Sequence, residues 1–97
     1  MTFKIIQKWK DFRTRHEILS QLRSVYHILY DFDFESQREA DHNLEKMKSL
    51  IEQVKAYNNS TSYKKINLGN SDECYLNLEV RVEDELEARQ SYNLLKA

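Results

Sequence analysis

The sequence predicts an α+β fold: a long helical hairpin followed by an antiparallel β-hairpin and a short C-terminal helix. Apolar residues recur at steps of three and four over most of the first 60 residues, which is helical periodicity. Residues 74–82 alternate between apolar and polar, as a half-buried strand does. The chain has no proline and one glycine, so few residues interrupt a helix. At 97 residues it is expected to form one domain over residues 1–97.

The first helix is predicted from a run of apolar side chains and one histidine: Ile5, Trp9, Phe12, His16, Leu19, Leu22, Tyr26 and Leu29. An alternative stays open for residues 2–9, because the capping-box pattern from Thr14 to Glu17 could begin a new helix after an extended strand. Ile6 breaks the strand alternation and favours the helix. Further apolar residues widen the stripe, which is typical of a core-facing helix rather than of a narrow coiled-coil seam.

The second helix is predicted to begin near Ser36, where Ser36 to Glu39 form a capping box. The serine hydroxyl can accept from the amide three residues on, while the glutamate side chain returns to the serine amide. Polar residues from Asn58 to Ser62 end this helix. The two helices are therefore antiparallel and turn at Asp31 to Glu35. The apolar face is formed by Ala40, Leu44, Met47, Leu50, Ile51, Val54 and Tyr57.

A β-hairpin is predicted over residues 63–82. Ile66 and Leu68 share one strand face, and residues 69–72 (Gly-Asn-Ser-Asp) have turn chemistry. A short terminal helix then follows over 83–96, opening with acids that suit a helix N-terminus. The second strand carries the clearest alternation in the chain, with apolar residues at Cys74, Leu76, Leu78, Val80 and Val82.

The net charge of −1 conceals a gradient along the chain. Residues 1–30 carry six basic and two acidic residues, residues 31–60 four and seven, and residues 61–97 five and seven. Either these segments neutralise each other within the fold or across a dimer, or the basic segment contacts a polyanion. No stretch approaches the roughly 18 apolar residues of a membrane span, so we expect a soluble, cytoplasmic protein. A single cysteine cannot form an internal disulfide.

The sequence offers few residues for catalysis, and we expect a protein that is not an enzyme and has no cofactor. Cys74 lies on the apolar face of a predicted strand, where burial disfavours the thiolate. One glycine cannot make a glycine-rich phosphate loop. The three histidines lie in the predicted helical hairpin, and no Ser/His/Asp arrangement follows from their spacing.

A metal site at the helix–helix corner is the weakest alternative. Glu39 and His42 have the E-x-x-H spacing of di-iron bundles, and His27 with Asp31 could approach them across the hairpin. That architecture needs further carboxylates. The D-x-D-x-E of residues 31–35 lacks the glycine and the final glutamate of a calcium loop. We assign no metal ligand.

The corner between the first two helices is the predicted partner-binding site. It alternates aromatic with acidic residues: Tyr30, Asp31, Phe32, Asp33, Phe34 and Glu35. Aromatic residues are enriched at binding hot spots, and acids around them steer a basic partner. A hydrophobic plug that closes the hairpin is an equal alternative. The predicted function is a small protein-binding regulator, such as an inhibitor, an antitoxin-like protein or an adaptor. The expected partner is another protein of unknown identity, which could also bind at a sheet edge, and the chain is expected to form a homo-oligomer.

Nucleic-acid binding through the basic N-terminal helix is the second hypothesis. Trp9 and Phe12 lie between the basic residues and could stack on bases. Their place in the periodic apolar run instead favours packing in the core. The sequence pI of about 6.3 is also below that of a typical nucleic-acid-binding domain. The basic residues concerned are Lys4, Lys8, Lys10, Arg13 and Arg15.

Overall fold

The computed structural model is a three-helix protein, and it describes residues 2–61 and 64–96. Helix α1 spans Thr2–Tyr30, α2 spans Gln37–Ser60 and α3 spans Ser71–Lys96. Each helix runs antiparallel to the one before it. The molecule is elongated, with extents of 68 × 21 × 16 Å. No helix in the described part of the chain is long and apolar enough to cross a membrane.

The predicted α+β fold is wrong, because the described residues contain no strand. Residues 64–68 are irregular, and residues 71–96 form one continuous helix in place of a second strand and a short terminal helix. The proposed sheet edge for a partner is therefore absent from residues 64–96. Tyr63, the first residue of the predicted hairpin, lies outside the described residues.

The strand prediction over residues 74–82 was wrong because the same residues also contain a helical pattern. Leu78 and Val82 are four residues apart, so both lie on one face of a helix, and both are buried. Leu76 and Val80, which the strand pattern placed beside them, are 58 % and 56 % exposed. Asn70 also begins the helix, since its side chain accepts from the backbone N–H of Glu73 at 3.3 Å. A cap and a packed face outweigh the preference of β-branched residues for strands.

Residues 2–9 belong to α1, so the helical interpretation holds for that segment. The core-facing side of α1 is narrower than the predicted stripe and runs in steps of four, three and four. It consists of Ile18, Leu22, Val25 and Leu29, all at most 7 % exposed. These residues pack in one cluster with the apolar face of α2 and with Leu78 and Val82 of α3.

Helix α2 begins as the capping box predicts, with one change of partner. The Ser36 hydroxyl accepts from the backbone N–H of Glu39 at 3.2 Å. The Glu39 carboxylate accepts from the backbone N–H of Glu35 at 2.9 Å, one residue before the serine. The whole predicted apolar face of α2, from Ala40 to Tyr57, is buried. These caps satisfy amides that a helix N-terminus leaves without partners.

The chain before α3 is held by side chains from the end of α2. The Asn58 amide group both donates to the Ile66 carbonyl and accepts from the Ile66 N–H, each at 2.8 Å. The Tyr57 hydroxyl donates to the Lys64 carbonyl at 3.0 Å. Gly69 adopts φ +62°, a left-handed conformation that glycine takes without strain. The buried Ile66 is thereby fixed against the core.

Tyr75 gives a testable consequence of this packing. Burial, followed by a hydrogen bond to Glu79, raises the pKa of the Tyr75 phenol from 10.0 to about 12. Because the folded-state pKa is raised, the stabilisation is fully present below pH 10 and is lost as the pH rises through about 12. We expect Tyr75→Phe to remove a tyrosinate absorbance step near pH 12. In urea the same step should move toward pH 10, and the assignment is contradicted if Tyr75→Phe removes absorbance at pH 10 from the folded protein instead of near pH 12.

Candidate functional site

The aromatic residues of the corner are largely used by the fold. Phe34 is only 4 % exposed and belongs to the core, and Phe32 packs against that core while partly buried. The two rings meet edge to face with centroids 6.2 Å apart. Phe32 has a φ of 55°, the left-handed region that side chains rarely adopt. The corner is thus a tight turn built around buried rings.

Two arginines of α3 hold this corner in place. The Arg89 guanidinium donates to the carbonyls of Phe32, at 2.9 Å, and Phe34, and it is oriented by Glu85 at 3.0 Å. The Arg81 guanidinium lies 4.4 Å from the Tyr30 ring centroid and 5.0 Å from that of Phe32. These contacts help to offset the unfavourable φ of Phe32.

The acids of the corner have a different position. Asp31, Asp33 and Glu35 are exposed. Asp31 lies 3.7 Å from His27 one turn earlier. The structure therefore separates the predicted site into a packed aromatic half and an acidic half that faces solvent.

The described residues contain no cluster of side chains that could form the alternative metal site. Among the described residues, no group of three or more His, Cys, Asp or Glu side chains lies close enough to hold an ion. The Glu39 carboxylate, one half of the E-x-x-H, is already bonded to the Glu35 amide. The local capping role accounts for this residue.

A second stripe on α1 was missed by the sequence prediction. It is named here the aromatic seam. It lies about 120° around the helix from the core-facing residues, at roughly 100° per residue. Its members are spaced 3, 4, 3, 4, 3 and 4 residues apart, which is the heptad spacing of a coiled coil. They are Trp9, Phe12, His16, Leu19, Arg23, Tyr26 and Tyr30.

The seam is accessible along its length. Trp9 is 62 % exposed and Phe12 is 50 % exposed. The prediction that both side chains pack in the core is therefore wrong. At the other end Tyr30 is 46 % exposed. Only Leu19 is partly buried, and it packs against the core as well. The exposed large side chains of the seam form two groups, Trp9 with Phe12 and Tyr26 with Tyr30, and clustered exposed apolar surface often marks an interaction site.

The rings of the seam stack on one another along the helix. Trp9 and Phe12 have centroids 6.0 Å apart, and Phe12 and His16 have centroids 6.1 Å apart. Tyr26 and Tyr30 stack at 5.4 Å. The stacking preorganises the rings and lowers the entropy cost of ordering them on binding.

The predicted basic surface is only partly formed. Lys8, Lys10 and Arg13 are exposed on the first turns of α1. Arg15 instead turns toward α2, where it donates to the Tyr57 hydroxyl at 3.5 Å and the Lys64 carbonyl at 3.4 Å. The side chain of Lys4 lies outside the described side chains.

A shallow cavity of about 350 Å³ opens beside the middle of the seam. Its lining includes Leu22 and Tyr26 of α1, Met47 and Ile51 of α2, and Cys74 of α3. Cys74 is exposed, so its predicted place in the core is wrong. The mostly apolar lining continues the seam toward the other two helices.

The signal for the seam was present in the sequence. The predicted apolar run stepped from Leu19 to Leu22 and so passed from the seam to the core face. Continuing in heptad steps leads instead through Arg23, a residue that an apolar pattern rejects.

Comparisons with protein-family models, with curated proteins and with solved structures give no match for this chain.

Proposed function

We propose that this protein is a small, non-enzymatic protein-binding regulator, and that the aromatic seam of α1 is its docking surface. The observation that supports this proposal is the seam itself. It presents seven residues in heptad spacing over about 32 Å of helix, at 1.5 Å per residue. Those at its ends, Trp9 and Tyr30, are close to half exposed or more.

The geometry suits a helical partner. A narrow stripe with a period of 3.5 residues keeps facing a second helix when the two cross at about 20°. Trp, Tyr and Arg are the residue types that most often dominate binding energy at protein interfaces. The seam contains all three types, with Trp9 at one end, Arg23 near the middle and Tyr26 beyond it.

The acids at the corner take a supporting part in this proposal. Asp31, Asp33 and Glu35 lie exposed just beyond the C-terminal end of the seam. Charges at the edge of an interface mainly steer the approach of a partner and fix its orientation. The corner thus favours a partner that carries basic residues at one end of its helix.

Nucleic-acid binding remains a second candidate because of one observation. Trp9 and Phe12 are exposed beside Lys8 and Lys10, so stacking rings and phosphate-binding cations share one end of α1. Single-stranded nucleic acids are bound by this combination of residue types. The seam, however, continues for five more turns with few cations. A phosphate backbone would have few positively charged side chains to bind there.

The test compares a seam variant with a matched control. Trp9→Ala with Tyr26→Ala removes two exposed seam rings, and Leu76→Ala with Val80→Ala removes two exposed apolar side chains of α3. We expect the first pair to abolish capture of protein partners from the native cell, and the second pair to retain it. Circular dichroism should show both variants helical. Equal capture by both variants would contradict the proposal.

The salt dependence of binding distinguishes the nucleic-acid candidate from the protein-binding proposal. Binding to phosphates weakens steeply as the salt concentration rises. We expect the wild-type protein to bind a random single strand no better than the variant Lys8→Glu with Lys10→Glu. Steeply salt-dependent binding that this variant loses would establish the second candidate instead.

The proposal includes a cytoplasmic location. The chain has one cysteine, Cys74, and its thiol is exposed. Exposed single thiols suit a reducing compartment better than an oxidising one.

A further inference from the structure

The charge along α1 indicates which helix fits the seam. The N-terminal half of α1 carries the exposed cations Lys8, Lys10 and Arg13. At roughly 100° per residue Lys8 lies beside the seam, whereas Lys10 lies on the far side of the helix and Arg13 lies 3.9 Å from Glu17. The opposite end of the helix runs directly into the acids Asp31 and Asp33. A partner helix must therefore be acidic where α1 is basic and basic where α1 is acidic. Helix α1 itself meets both conditions when it is turned end for end.

We propose that the seam pairs with the seam of a second copy of this chain, antiparallel, about a two-fold axis near Leu19 and Ser20. This inference rests on the proposed docking role of the seam and names its partner. An antiparallel pair brings Lys8 of one copy to the acidic corner of the other, and the same contact occurs twice. A two-fold interface of this kind uses one self-complementary surface.

The ring positions fit the same arrangement. Turning α1 end for end brings Trp9 of one copy beside the stacked Tyr26 and Tyr30 of the other. Arg23 comes to the stacked rings of Phe12 and His16. A guanidinium over an aromatic face is a favourable contact, and Arg15 already lies 5.6 Å from the Phe12 ring within one chain.

A parallel pair is disfavoured by the same charges. It would set the basic ends of two α1 helices against each other, and the two acidic corners likewise. Like charges opposed across an interface weaken it and select against that orientation. Polar residues within a mostly apolar seam help to fix the register, and the antiparallel pair sets Arg23 of one copy opposite His16 of the other.

The first test measures mass and proximity. Light scattering should give twice the 11.7 kDa of one chain. In a Cys74→Ser background, Ser20→Cys lies near the two-fold axis and should link to its copy through a short bis-maleimide. Ser49→Cys, exposed on α2, is the matched control and should not link. A monomer at all concentrations, or equal linking by both variants, would overturn the inference.

The second test uses charge reversal to establish the orientation. Lys8→Glu with Lys10→Glu makes both ends acidic, and Asp31→Lys with Asp33→Lys makes both ends basic. We expect each variant alone to dissociate at least about tenfold more readily at low salt, and an equal mixture to form a heterodimer. A mixture that pairs no better than either variant alone sinks the antiparallel arrangement.

The outcomes also distinguish this inference from the proposed function. Trp9→Ala with Tyr26→Ala should make the protein monomeric, while Leu76→Ala with Val80→Ala should leave the dimer intact. If the wild-type chain is monomeric yet captures another protein through the seam, the dimer is wrong and the docking role stands. If it is monomeric and captures nothing through the seam, both are wrong.

Discussion

Replacing Phe34 by alanine is expected to lower the free energy of unfolding by about 3–4 kcal/mol, the usual cost of truncating a buried aromatic ring. Phe34 is 4 % exposed and closes the core where α1 turns into α2. It also carries the Arg89 guanidinium, 4.7 Å from its ring centroid. Its loss therefore leaves a cavity and loosens the corner. A domain of 97 residues has a modest stability, so this is a large fraction of the total.

Urea denaturation followed by circular dichroism measures this change. Val80→Ala is the matched control, because Val80 is exposed on α3 and its truncation should change stability by less than about 0.5 kcal/mol. If Phe34→Ala is as stable as the control, the corner is not a plug. Phe34 would then be free for a partner, as the alternative prediction from the sequence holds.

Replacing Arg89 by methionine is expected to destabilise the fold by about 2–3 kcal/mol, since it leaves two partly buried carbonyls without a donor. These are the carbonyls of Phe32 and Phe34. Methionine keeps the length and the apolar packing of the arginine stem. The loss of stability therefore measures the contribution of the guanidinium group. The φ of 55° at Phe32 adds to the effect, because its strain is then no longer opposed by a bound carbonyl.

Arg89→Lys provides the comparison. A lysine ammonium is a point charge without the planar fork that reaches two carbonyls at once. We expect its stability in urea to lie between that of the wild type and that of Arg89→Met. A Lys variant as stable as the wild type would show that charge alone suffices. A Met variant as stable as the wild type would show that Arg89 does not hold the corner.

Helix α2 is predictable from local rules. The capping box at Ser36 and the steps of three and four in α2 each have one interpretation, and the whole α2 face is buried as expected. The C-terminal region is not predictable in this way, since Leu78 and Val82 satisfy both the strand and the helix period. The core formed by the three helices, together with the Asn70 cap, selects the helical period.

The site was predicted in part for a similar reason. The corner is visible in the sequence as alternating aromatics and acids, but its packing involves Arg81 and Arg89, which lie 49 and 57 residues from Phe32 in the chain. The seam was hidden because α1 has two overlapping apolar stripes. A sequence does not state which of them faces the core. The position of α2 and α3 decides that.

The contacts of Arg89 also bear on the order of folding. Helices α1 and α2 are neighbours in the chain, and such local topologies fold in microseconds to milliseconds. The bonds from Arg89 to the corner join residues 55 and 57 positions apart, so we expect them to form after the first helical hairpin. Interactions absent from the folding transition state act on the unfolding rate. We therefore expect the Arg89 contacts to slow the unfolding of the molecule while leaving its folding rate almost unchanged.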